Sequence, residues 1–131
     1  MPKKKPTIIA LDDETAFIEV LKEYFELRGY NIVVASNAVL GIELINHNRP
    51  DIVILDLKMP GISGDEIMKL IKSKWPETKV IFITAFEDAG KTKARLLNAG
   101  AYAFIEKPVK SLKELEAVVN KAYSETSGGK A

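Results

Sequence analysis

The sequence predicts an α/β fold: a doubly wound, five-stranded parallel sheet in the order 2-1-3-4-5, with five helices. Two observations carry this. Five short runs rich in Ile and Val read as strands: "TIIAL" (7–11), "NIVVA" (31–35), "DIVILD" (51–56), "VIFIT" (80–84) and "AYAFIE" (101–106). They mostly lack polar alternation, as strands covered on both faces do. Between them lie amphipathic segments, and regular alternation of strand and helix gives a parallel sheet with helices on both sides. Crossovers must be right-handed, which leaves few topologies for five strands.

The helices follow in order. From Phe17 to Leu27, positions 17, 18, 21 and 25 share one apolar face, and Gly29 is the stop. "NAVLGIELI" (37–45) is the second. "SGDEIMKLIKSKW" (63–75) opens on a capping box, Ser63 to Glu66, and Pro76 ends it. The fourth spans about 88–99 and closes at Gly100. The fifth opens on a second capping box, Ser111 to Glu114, with apolar positions 112, 115, 119 and 122 on one stripe. The whole corresponds to a flavodoxin-like sheet. One domain is expected over 6–123, with a basic tail at 1–5 and a flexible tail or linker at 124–131.

Composition narrows the function classes. The chain has 131 residues, 47% hydrophobic and 28% charged, with a formal net charge of +1. Bulk charge therefore points to no direct nucleic-acid contact. There is no cysteine, which removes disulfides, zinc–cysteine sites and thiol catalysis and fits a cytoplasmic protein. The start, "MPKKKP", has no apolar core behind it, so it reads as neither signal peptide nor membrane anchor.

Placed on the predicted sheet, distant polar residues converge. Asp12 and Asp13 follow strand 1, Asp56 ends strand 3, Thr84 ends strand 4 and Lys107 follows strand 5. All lie at the carboxyl edge, where strands 1 and 3 diverge and such sheets hold their functional crevice. Two carboxylates about 4 Å apart repel by roughly 4 kcal/mol at an effective dielectric near 20. Three of them against one lysine call for a divalent cation. The ligands are hard oxygens without His or Cys, so Mg2+ is the natural ion. A carboxylate nucleophile, a metal, a hydroxyl and an ammonium are the parts of a phosphoryl-transfer site.

Four quoted segments, "LDDE", "ILDLKMPGISG", "ITAF" and "GAYAFIEKPV", resemble the hallmark segments of response-regulator receiver domains of two-component signalling. The likeness runs over about residues 6–123. It implies a phosphoacceptor switch, not a turnover enzyme, that takes a phosphoryl group from a histidine kinase or phosphotransfer protein with Mg2+. Position by position, Asp56 resembles the phosphoacceptor and Asp12 and Asp13 the metal-binding pair. Lys58 would lend its backbone carbonyl to the metal. Thr84 and Lys107 match the switch hydroxyl and the phosphoryl-binding lysine, and Phe104 the switch aromatic, where tyrosine is frequent. Lys58 and Phe86 match variable positions that tune phosphoryl lifetime. The Lys107–Pro108 bond is cis in the family. The resemblance also implies an output domain or protein downstream, and a homodimer through helix 4, strand 5 and helix 5. "GAYAFIEKP" is similar to the "GAYDFIEKP" style of receivers on AAA+ transcription activators and some hybrid kinases.

Plainer readings stand beside these. Asp12, Asp13 and Glu14 suit the start of a helix, where negative charge is favourable. Thr84 is a common strand residue and Lys107 a common surface one. His47 and the lysines at 3–5 read as surface groups, and Trp75 as partial packing. A flavin-binding flavodoxin would need a small, hydroxyl-rich phosphate loop where this chain has "DDET". A phosphatase with an aspartyl-phosphate intermediate wants a second acid at position 58, which is lysine.

Overall fold

Strand and helix alternate along residues 5–85, 88 and 90–126, the part of the chain described in a computed structural model. The expectations for Lys3, Lys4, Phe86 and residues 127–131 lie outside the described residues. In chain order the elements are β1 (Thr7–Leu11), α1 (Thr15–Leu27), β2 (Asn31–Ala35), α2 (Ala38–Asn48) and β3 (Ile52–Leu55). They continue as α3 (Gly64–Lys74), β4 (Lys79–Thr84), α4 (Lys91–Asn98), β5 (Ala103–Glu106) and α5 (Leu112–Ser124). The sheet is parallel throughout, in the order β2-β1-β3-β4-β5. Leu11 pairs with Ala35 on one side and Leu55 on the other, so β1, β2 and β3 end together.

Period-two side-chain alternation divides the core into two layers. Ile9, Leu11, Val53, Leu55, Val80 and Phe82 face α2, α3 and α4, with Ile45, Ile67, Ile71 and Leu96 packed on them. Ile8, Ala10, Ile52, Ile54, Ile81 and Ile83 face α1 and α5, against Leu21, Phe25, Leu115 and Val119. Burial of each large apolar side chain contributes about 1.5–3 kcal/mol, so both sheet faces need their helices. Gly41 lets α2 approach: a Cβ there would stand 2.1 Å from Leu11 Cδ2.

The predicted caps form. Ser63 Oγ accepts from Glu66 N–H at 3.3 Å, and Ser111 Oγ from Glu114 N–H at 3.1 Å. Asn37 is itself a cap, its Oδ1 accepting from Leu40 N–H at 2.9 Å. Several boundaries differ from the sequence reading: α2 runs to Asn48 rather than 45, and β5 begins at Ala103 rather than 101. Helix 4 begins at Lys91 rather than 88, because Gly90 takes a left-handed φ of 83° that no helix continues. β3 stops at Leu55, so Asp56 lies just past the strand rather than ending it. Residues 124–126, expected with the tail, close α5 instead: Thr126 is buried and its hydroxyl donates to Tyr123 O at 2.8 Å. Lys5 is also not a simply solvated residue. Its ammonium donates to Arg28 O at 2.6 Å and sits 4.6 Å from the Tyr30 ring centroid.

Candidate functional site: an acidic crevice at the carboxyl edge

Where β1 and β3 end, the backbone steers two acids into the same space. Asp12 N–H donates to Ala35 O at 3.2 Å and Asp56 N–H to Leu11 O at 3.1 Å, continuing the ladder one step past the strands. Each side chain then folds back on its own loop. Asp12 Oδ1 accepts from Glu14 N–H at 2.9 Å, and Asp56 Oδ1 from Lys58 N–H at 3.2 Å. Asp12 and Asp56 are buried and Asp13 is exposed, yet one carboxylate oxygen from each lies within 4.8 Å of the others. The start of α3 closes on the Asp56 loop. Gly64 N–H donates to Leu57 O at 3.1 Å, and a Cβ at Gly64 would stand 2.7 Å from Asp56 O.

Lys107 enters from β5. Its N–H donates to Thr84 O at 2.9 Å, and the following bond to Pro108 is cis. Its ammonium lies 2.7 Å from Asp12 Oδ2 and 3.3 Å from Asp56 Oδ2, and also pairs with Glu14. The Phe17 ring centroid is 5.1 Å away. Burial raises the Asp12 carboxyl to about 6, and the neighbouring Asp56 carboxylate adds to this. Hydrogen bonds from Lys107 and from the Glu14 amide restrain the rise. Burial alone would pull the Lys107 ammonium down, but its bonds to Asp12 and Glu14 outweigh that and its pKa is raised. The lysine therefore stays charged and the crevice remains net negative.

The structure brings Asp12, Asp13, Asp56 and Lys107 into one crevice. Thr84 ends the neighbouring strand, fully buried, two register positions beyond the Leu55–Phe82 pair. Lys58 has an exposed side chain, and its backbone N–H meets Asp56. Phe104 lies beside Phe82 in register, 9% exposed, in the core layer with Leu96 and Ala101. His47 is exposed at the end of α2, its Nδ1 2.9 Å from Glu43 O, away from the crevice.

Residues 8–120 match the response regulator receiver domain family. The chain belongs to that family. It is 34% identical over 103 residues to a cyclic di-GMP phosphodiesterase of Thermotoga maritima, covering 79% of this chain and 27% of that protein. It is 32% identical over 120 residues to the response regulator MprA of Mycobacterium sp. strain KMS, covering 92% of this chain and 51% of that one. This receiver thus spans about a quarter to a half of the curated relatives it matches. The non-phosphorylated HemR receiver domain from Leptospira biflexa superposes with a TM-score of 0.83 at 31% identity, over 93% of this chain and 97% of that one. The family shares the observed fold and acts in phosphoacceptor signalling, as switches rather than turnover enzymes, and it typically binds Mg2+. Among the described residues no helix is long and apolar enough to cross a membrane.

Two residues of the receiver's crevice escaped the sequence reading. Glu14 read as one of three acids suited to helix capping. It does occupy the N-cap position of α1, but its side chain makes no capping bond and turns to Lys107. Phe17 read only as part of an apolar face, yet its ring lies against the same ammonium. Their spacing of three residues, one helical turn, was the available signal.

Proposed function

We propose that Asp56 is the phosphoacceptor of a signalling switch, taking its phosphoryl group from a phosphohistidine on a kinase or phosphotransfer protein. The observation that supports this is the meeting of the buried Asp56 carboxylate with Asp12, Asp13 and the Lys107 ammonium. A carboxylate oxygen of Asp56 bonds to phosphorus as the bond from phosphorus to the histidine nitrogen breaks, and that nitrogen keeps the electron pair. Asp12, Asp13, Asp56 and the Lys58 backbone carbonyl are an all-oxygen set suited to Mg2+, which would neutralise charge on the phosphoryl oxygens when bound. Lys107 supplies a fixed positive charge to one of those oxygens, and Thr84 a hydroxyl to another. Neighbouring strands carry the Thr84 displacement to Phe104 and so to the face formed by α4, β5 and α5. That face would meet an output domain, an output protein or a second copy of the chain.

Intact-mass spectrometry after incubation with acetyl phosphate and Mg2+ tests the assignment. The unsubstituted chain gains one phosphoryl group and Asp56→Asn gains none. Equal incorporation in Asp56→Asn would show that the acceptor lies elsewhere.

A further inference from the structure

Among the described residues Lys107 is the ammonium that meets the crevice carboxylates, and the N-terminal end of α1 already holds it. It pairs with Glu14 and also meets Asp12 Oδ2 at 2.7 Å and Asp56 Oδ2 at 3.3 Å. Glu14 differs from its rivals in exposure. Its side chain is 62% exposed, against 4% for Asp12 and 8% for Asp56. It is also outside the three-carboxylate cluster. The backbone fixes its place, because Glu14 N–H is bonded to Asp12 Oδ1 and Glu14 O accepts from Ile18 N–H at 3.2 Å. One turn on, Phe17 supports the same ammonium from its ring face, an arrangement that attracts cations.

We propose that Glu14 is a positioning residue that competes with the phosphoryl group for Lys107 and slows phosphorylation of Asp56. This rests on Asp56 being the acceptor. With acetyl phosphate as donor, an Asp56 oxygen bonds to phosphorus, the bridging phosphorus–oxygen bond breaks, and acetate leaves with the electron pair. Charge on the transferring oxygens is stabilised only as far as Lys107 is free to meet it. Each moment the ammonium spends on Glu14 is lost to that task. The negative charge of Glu14 beside the entrance also opposes an anionic donor, so contact and charge must be separated.

Two substitutions separate them. Glu14→Gln removes the charge. Glu14→Asp keeps the charge and withdraws it by one methylene, which breaks the contact with Lys107. The initial rate of phosphorylation by acetyl phosphate, at saturating Mg2+, should rise about 3–10-fold in Glu14→Gln and at least twofold in Glu14→Asp. A second readout needs no metal or donor: nitrogen-15 spectroscopy of lysine ammonium groups in the metal-free chain. The Lys107 signal should move in both variants. A rate in Glu14→Gln within twofold of the unsubstituted chain, or below it, overturns the proposal. So does a Glu14→Asp rate equal to the unsubstituted one, which would assign the effect to charge at a distance. An unmoved Lys107 signal also overturns it. If the unsubstituted chain takes no phosphoryl group at all, the reading of Asp56 fails, while the ammonium signal still decides whether Glu14 holds Lys107.

Discussion

Asp13 is the exposed member of a trio whose other two acids are buried, so the three carboxylates stand in different surroundings. Asp12 and Asp56 are tied to loop amides and to Lys107, so each has structural work within the crevice. Among the described residues Asp13 has no such tie, which leaves its charge free for the proposed Mg2+. Removing it should therefore cost little folding stability and much metal affinity. A ligand at 100 times its Kd stabilises the native state by about 2.7 kcal/mol. For a domain of this size that is a rise in Tm on the order of 10 °C. Millimolar Mg2+ should raise Tm by several degrees in the unsubstituted chain and by less than a third as much in Asp13→Asn. Differential scanning calorimetry with and without Mg2+ measures this, and equal shifts would remove Asp13 from the ligand set. These acids were legible because strand ends place them without reference to loop geometry. The Glu14 contact was not, since it depends on how α1 leaves the β1 loop.

α1 and α5 meet through Glu116, a buried acid beside the apolar layer of Leu21, Phe25, Leu115 and Val119. Its Oε1 accepts from Tyr24 OH at 2.8 Å and pairs with Arg28 Nε at 2.7 Å, while its Oε2 accepts from Tyr30 OH at 2.8 Å. Burial pushes the Glu116 carboxyl up, but the two phenols and the guanidinium outweigh it and its pKa lies below the usual 4.5. Burial and Glu116 in turn push the Tyr30 phenol up to about 12. The sign follows. A carboxyl depressed on folding stabilises the native state fully above pH 4.5, and that contribution is lost as pH falls through the folded value. Glu116→Gln should cost about 1.5–3 kcal/mol at pH 7, the range for hydrogen bonds to a charged group. The deficit should narrow at pH 3.5, which urea unfolding at the two pH values reads directly. A deficit that stays constant would mean packing, not charge, holds the seam. The sequence concealed this network because its members lie 86 to 92 residues apart. Helix starts were easier: Ser63 and Ser111 signal themselves locally, whereas Gly90 shortened α4 by a backbone angle that composition does not reveal.

Across the whole molecule, the proposed relay from Asp56 to a partner would run along the side of the sheet that carries α4. Strand order, parallel pairing and both apolar layers were legible, because two-sided burial writes itself into uninterrupted Ile and Val runs. Energetics favours an inward resting position for Phe104. Burial of a Phe ring is worth roughly 1.5–3 kcal/mol, and phenylalanine lacks the hydroxyl that would reward an outward ring with a water or partner bond. The ring is buried here beside Phe82, Leu96 and Ala101, and Thr84 is buried one strand away. The α4–β5–α5 face should therefore stand close to its activated arrangement before any phosphoryl group arrives. Phe104→Tyr supplies the missing anchor: a buried hydroxyl without a partner costs about 1–3 kcal/mol, so the outward ring gains on the inward one. A bias of about 1.4 kcal/mol changes a two-state ratio tenfold. Beryllofluoride with Mg2+, a phosphoryl mimic, should consequently shift the backbone amide resonances of residues 103–106 less in the unsubstituted chain than in Phe104→Tyr. Basal self-association through the same face should fall in the variant. Nuclear Overhauser contacts between the Phe104 ring and Leu96 in the unphosphorylated chain are the direct check. Their absence, with the ring in solvent, would place the inward state under phosphoryl control and leave Phe104 equivalent to tyrosine.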